Sequence, residues 1–299
     1  MRVPGFDDRE QLWFECAQSS FGDFVKRGGR DIGRWTTRDL KEWSKEELVL
    51  TIAEDESRTP QDWVEYMDIR VFRAAGLWLG QLVIFHGDRS TPQAEMPTQK
   101  GVWRKGTTEL RLIMSRDAGK SWQCVGDKQI WVPFHEAEDG FDRLVLTGSP
   151  VRVHDELWLY YSCWDGDHLN WNRDGTTYYK DRARIGRTAR AVLRWDGYVS
   201  LCPQHTVGEV LTKPMDVAGD TLQLNAAAQK GRIRVEVQDA EGRVIRGLSL
   251  RNCRPVHGDR IAQRVRWGPH SRLPEKLRGR PMRLRFEIKN AELYGFQLS

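Results

Sequence analysis

Three stretches of this chain join a strand-like run to an aspartate-led turn and a tryptophan. Residues 32–43 read IGRWTTRDLKEW and residues 112–122 read LIMSRDAGKSW. A diverged third copy, residues 183–197, reads ARIGRTARAVLRWDG. The physics is common to all three. A strand ends, the aspartate carboxylate accepts backbone N–H bonds across the turn, and the tryptophan returns to pack on the hairpin. Recurrence of one hairpin restricts the chain to repeated antiparallel sheets.

The segments between the copies fit that scheme. Residues 66–72 (YMDIRVF) precede a turn at Gly76 and a second run at 77–85; residues 144–153 (LVLTGSPVRV) precede the Asp155-Glu156 turn and a run at 157–162. Strand, strand, hairpin and aspartate turn make a four-stranded blade, and about three such blades fit before residue 205. No long segment shows a 3.6-residue period with caps, so helices are not expected.

The rhythm changes after residue 205. Short strands are predicted at 221–225, 232–238, 244–250, 263–267, 282–288 and 293–298, with a hairpin turn at Asp239-Ala-Glu-Gly242. Spacing of about 8–12 residues is that of a β-sandwich. The expected fold is therefore all-β: a partial β-propeller over residues 1–205, then a sandwich over 206–299.

Charge is uneven. Residues 230–289 hold 17 Lys/Arg and 6 Asp/Glu, a balance of +11, against +5 for the whole chain. A basic region can mark a nucleic-acid surface. Here, however, Arg232 and Arg234 alternate with Ile233 and Val235, and Arg283 and Arg285 with Leu284 and Phe286. Period two puts the arginines on one solvated strand face, which argues against nucleic acid as a partner. No apolar run approaches the roughly 18 residues of a membrane helix, so no membrane partner is expected. The start, MRVPGFDDRE, has no apolar core, and five scattered cysteines form no C-x-x-C pair. Those features predict a cytoplasmic location, buried free thiols, and neither a metal nor another cofactor.

Thirteen tryptophans supply flat apolar faces of the kind that stack on sugar rings, although sheet cores also use them as filler. The stretches TTRDLKEW, SRDAGKSW, DELWLYYSCWDGDH and IGRTARAVLRWDGYVSL, with the 208–298 region, resemble bacterial glycoside hydrolase family 32-like proteins. That resemblance covers nearly the whole chain. It implies a five-bladed propeller with a C-terminal sandwich, lacking here its N-terminal blades, and three axial carboxylates acting on a glycoside. The family's W-M-N-D-P-N-G nucleophile motif does not occur; Met67-Asp68-Ile-Arg70 and Glu15-Cys16 only echo its R-D-P and E-C motifs. Residues 115–122 follow S-x-D-x-G-x-S-W, the Asp box, which specifies a hairpin rather than a chemistry.

Glycoside cleavage needs two carboxyl groups across the scissile bond. The starts of inner blade strands aim at a propeller axis, so acids there are the catalytic candidates: Asp68, Asp142 and Glu65. Glu136, Glu138 and Asp139 read as solvated charge. Substrate-binding candidates are Arg70, Arg143, and the loop with Trp164, Asp165, His168 and Trp171, which mixes aromatic platforms with hydroxyl-binding groups. The favoured function is a glycosidase acting on a glycoside, a fructoside among the candidates. The competing readings are a non-catalytic carbohydrate-binding protein or inactive truncated propeller, and, from the Asp box alone, a sialidase-like enzyme. Expected partners are a carbohydrate and a second copy or partner chain completing the propeller.

Overall fold

The computed structural model describes residues 4–19, 30–52, 62–88, 106–132, 141–146, 148–165, 186–203 and 206–299. The described residues form strands, turns and one short 3-10 turn at Glu275–Leu277. Among them, no helix is long and apolar enough to cross a membrane. The chain divides into two compact units, one of residues 1–151 and 158–192, the other of 152–157 and 193–299.

The first unit is built from antiparallel sheets. Strands β1 (Gly5–Asp7), β2 (Leu12–Gln18), β3 (Ile32–Thr37) and β4 (Glu47–Leu50) form a four-stranded meander. A second sheet repeats the plan with β5 (Asp62–Ala74), β6 (Leu77–Asp88), β7 (Gly106–Ser115) and β8 (Gln123–Cys124), and β9 (Ile130–Val132) also pairs with β7. In the third sheet β10 (Phe141–Leu146) and β11 (Val151–Val153) both pair with β12 (Glu156–Asp165), whose other partner is β13 (Gly186–Arg194).

Period-two burial explains how these sheets stack. One face of the second sheet places Val64, Tyr66, Ile69, Leu82, Ile84 and Ile113 against Phe14, Cys16 and Ile32 of the first. Its opposite face places Val83 and Leu110 against Leu159, Tyr161 and Cys163 of the third. A middle sheet covered on both faces is how neighbouring propeller blades pack.

The aspartate turns join the third and fourth strands of the first two sheets. Asp39 Oδ1 accepts N–H bonds from Lys41 (2.9 Å) and Glu42 (3.0 Å). Those bonds hold its carboxyl below the usual carboxylate range. Asp117 accepts from Ser121 N and Ser121 Oγ, while Ser115 Oγ accepts from Gly119 N. Gly119 has φ +79°, and a Cβ there would meet Cys16 Sγ at 2.9 Å and the Phe14 ring at 3.0 Å, so the turn needs glycine twice over. Trp122 packs inward as expected, but Trp43 is 37% exposed. The first copy keeps the turn without the packed tryptophan.

In the second unit β14 (Val207–Leu211), β15 (Met215–Asp216), β16 (Leu222–Asp239), β17 (Val256–Arg264), β18 (Pro281–Lys289) and β19 (Glu292–Leu298) surround one core. The two runs predicted at 221–225 and 232–238 are one strand, β16. Its first half pairs with β17 and β19 and its second half with β18. The change of partners comes at a register shift between Ala228 and Ile233. Gly231 sits in that shift, where a Cβ would lie 1.8 Å from the Lys289 carbonyl oxygen. All six strands of this unit are thereby joined in one sheet, with β16 as its hub. The run at 244–250 is not a strand; Val244 makes a single bridge to Gln238 across the predicted 239–242 turn. Of the run at 263–267, only Gln263 and Arg264 lie in a strand.

The arginines alternate with buried aliphatics as expected, Ile233, Val235, Leu284 and Phe286 being buried. On the other face Arg285 pairs with Glu209 at 2.7 Å and Glu236 at 3.5 Å, and Arg232 with Glu287 at 3.7 Å. The local positive charge is thus part of an ion-paired sandwich face. Cys16, Cys163 and Cys253 are buried thiols, but Cys124 and Cys202 are exposed, which corrects the expectation that all five are buried. Burial pushes the Cys16 thiol up to about 12.

Candidate functional site

In an antiparallel meander, successive connections alternate between the two ends of the sheet. The second sheet has its Gly76 turn and its Asp117 turn at one end. At the other end β5 starts and β6 passes to β7. Toward that second end lie Glu65, His86 and Glu109, with Asp68 at the middle of β5.

β5 is irregular near its middle, so Asp68 does not lie at the start of an inner strand as expected. Tyr66 pairs with Ile84 and Asp68 with Val83, so Met67 is an extra residue without a partner, a β-bulge. Its consequence is chemical. In a regular strand, residues 65 and 68 would point to opposite faces. The bulge restores them to one face: Glu65 lies opposite Phe85 and Asp68 opposite Val83, two residues apart on β6. At about 3.4 Å per residue their α-carbons stand roughly 7 Å apart. Arg70, opposite Gln81, shares that face.

Each of these side chains has a defined partner. Glu65, 3% exposed, sits 3.2 Å from Arg30 Nη1. Asp68 Oδ1 accepts from the Ile69 N–H at 2.9 Å, and its Oδ2 lies 2.9 Å from Arg70 Nη1. Both members of that ion pair remain about one-fifth exposed, at 19% and 22%. Gln81 is fully buried on the same face, and its side-chain amide has no hydrogen-bond partner among the described residues.

The third sheet repeats the irregularity. Phe141 pairs with Asp165 and Arg143 with Trp164, leaving Asp142 as the extra residue at the start of β10. Asp142 therefore corresponds to Met67, and Arg143 to Asp68. The backbone register brings Asp142 and Arg143 beside Trp164 and Asp165 at one end of this sheet. His168 and Trp171, with Glu136, Glu138 and Asp139, lie outside the described residues.

One cluster was not anticipated. Glu109 on β7 is 7% exposed, with Arg111 Nε 2.5 Å from Oε1 and His86 Nε2 3.3 Å from Oε2. Ile84 lies opposite Glu109, so this trio faces the first sheet, away from Asp68. Burial works against the charged form of Glu109, yet His86 and Arg111 outweigh it and hold its carboxyl below the usual carboxylate range. The pairing follows from the fold: β7 belongs to a middle sheet, and charges there must be internally paired. A depressed folded-state value gives stability that is full above the unfolded value, about 4.3, and is lost as pH falls through the folded one. The expected result is a melting temperature that falls as pH drops below about 4.3 in the parent, and a flatter acid limb in Glu109→Gln, read by thermal melts across the acid range.

Among known proteins, no family profile matches this chain, and no curated sequence does. Similar solved structures include an N-acetylgalactosamine deacetylase from F. plautii in complex with blood group B trisaccharide. It shows 17% identity over 65% of this chain at a TM-score of 0.39, and this chain spans 50% of its length. Sucrose-6-phosphate hydrolase from Lactobacillus gasseri shows 8% identity, covering 96% of this chain and 77% of that one, at 0.34. An exo-inulinase from Aspergillus awamori shows 10% identity over 100% and 96%, at 0.30. At these scores the likeness assigns no chemistry to the residues described above.

Proposed function

We propose that this chain is a glycosidase of the propeller type, acting on a glycoside, a fructoside among the candidates, at the irregular stretches of β5 and β10. Asp68 and Asp142 are the working carboxylates, and Glu65, ion-paired with Arg30, is a third fixed negative charge. Arg70, Arg143, Trp164, Asp165, His168 and Trp171 bind the sugar. The observation that carries this reading is the repeated bulge. Two successive sheets break register in their first strand, at Met67 in the middle of β5 and at Asp142 near the start of β10. Bulges concentrate at barrel rims and active sites because they re-aim side chains. The spacing of the two carboxyl groups then decides the outcome: about 5–5.5 Å for retention, about 6.5–9.5 Å for inversion.

A second reading, carbohydrate binding without turnover, has its own support. Glu65, Asp68 and Glu109 each already face a basic side chain. Paired carboxylates suit sugar hydroxyls but leave the general acid to be supplied elsewhere. A panel of aryl glycosides and fructo-oligosaccharides, read by sugar release and by a glycan array, separates the two. Release supports the enzyme, binding without release supports the second reading, and neither across the panel removes both.

A further inference from the structure

Resting on the glycosidase reading, we propose that Gln81 is a positioning residue of that site: its side-chain amide is the second acceptor for Arg70, which turns to it when Asp68 takes up a sugar hydroxyl. Gln81 is 0% exposed, and neither its amide nitrogen nor its amide oxygen has a hydrogen-bond partner among the described residues. An amide buried in that way costs stability. Such groups are rare in folded proteins and collect at functional sites. The register says what stands beside this one. Gln81 lies opposite Arg70 on β5 and Leu112 on β7, and the next residues of its face on β6 are Leu79 and Val83. Leu79, Val83 and Leu112 are buried and apolar. Among the strand neighbours of Gln81 on this face, the polar ones are Arg70, directly opposite, and Asp68, on the diagonal.

Arg70 is thus placed between two acceptors. Asp68 is two residues away on the same face of β5, about 7 Å between α-carbons. Gln81 is directly across, about 5 Å between β-carbons. One arginine side chain spans either distance. In the free protein the charged acceptor holds the guanidinium, with Nη1 2.9 Å from Asp68 Oδ2. That contact is electrostatic rather than a made hydrogen bond, for Nη1 is buried and donates to no acceptor among the described residues. While it lasts, the charge of Asp68 is neutralised. A sugar hydroxyl that donates to Asp68 competes with Arg70 for the carboxylate. A displaced guanidinium with nothing to face would be a poorly solvated, unpaired charge. Gln81 Oε1 removes that penalty by accepting the displaced N–H, and the other guanidinium donors stay available to the sugar. The amide therefore sets how often Asp68 is free, and apparent affinity scales with that fraction.

A double-mutant cycle read by thermal melting of the full chain tests this without any substrate. Gln81→Met keeps the length and removes the amide, and is expected to melt at or above the parent. Asp68→Ala removes the first acceptor, so Arg70 rests on Gln81; adding Gln81→Met in that background is expected to lower the melting temperature by several degrees. If the alanine variant does not fold, Asp68→Asn carries the same cycle, because the Ile69 N–H occupies its remaining oxygen. An effect of Gln81→Met that is the same in both backgrounds, or more damaging in the parent, overturns the proposal. Kinetics with the best glycoside of the panel gives the second readout. Gln81→Met is expected to raise KM about tenfold or more with kcat within about twofold, and Gln81→Glu, which keeps the acceptor, to bring KM back toward the parent's. An unchanged KM in Gln81→Met overturns it as well. Turnover of no glycoside removes the glycosidase reading and leaves the melting cycle to be read on its own, so the two fail separately.

Discussion

Asp68→Asn is expected to lower turnover of the best glycoside by about 10²- to 10⁴-fold, the usual contribution of a positioned acid–base or charged group, while the protein still folds to the same structure. Asparagine keeps the shape, and its side-chain oxygen still accepts the Ile69 N–H bond. What is lost is the charge. The lost ion pair with Arg70 also costs stability, because both side chains are largely buried and Arg70 Nη1 is left facing an uncharged amide. Arg70→Ala separates the roles further. If Asp68 acts on the reacting bond and Arg70 on the sugar, the arginine variant raises KM while the aspartate variant lowers kcat. Asp142→Asn is expected to match Asp68→Asn. Full turnover in both aspartate variants would remove the catalytic assignment while leaving the fold as described.

What could be read in the sequence, and what could not, follows from the range of the interactions involved. The aspartate turns are local: Asp39 and Asp117 bond to groups within four residues, so the segment itself specifies them. The alternation of Arg232, Ile233, Arg234 and Val235 is also local, and it identified an outer sandwich face. The bulges are not local. Nothing in Tyr66-Met67-Asp68 marks an extra residue, since neither glycine nor a polar turn is present. The slip exists because Val64 and Tyr66 must reach one core and Asp68 must share a face with Val83, which touches another. Straight-strand counting therefore put Asp142 in the place of Asp68, where the structure puts Arg143. Glu109 was missed for a related reason. Its partner His86 comes from a neighbouring strand 23 positions earlier (109 − 86), and only the knowledge that both faces of β7 are covered makes the pairing compulsory.

Removing Trp267 is expected to produce the largest loss of stability. Trp267 is 1% exposed in the core of the second unit, and its indole N–H donates to the Val235 carbonyl at 2.8 Å. Its backbone also closes the chain on itself through bridges to Cys253 and His270. The indole thus ties the 253–270 segment to the second half of β16, the strand that pairs with β17, β18 and β19. Trp267→Ala opens a cavity worth about 3–5 kcal/mol. It also leaves a buried carbonyl without this donor, so a fall in melting temperature of roughly 10 °C or more is expected. Trp267→Phe refills most of the volume but cannot donate. It should cost about 1–3 kcal/mol, the scale of one unmet buried polar group. Chemical denaturation separates the contributions, because the difference between the two variants measures the packing and the residual loss in the phenylalanine variant measures the hydrogen bond. An alanine variant as stable as the parent would mean that β16 is held at its bend by Gly231 and strand pairing alone, and that the tryptophan fills space without tying the 253–270 segment to β16.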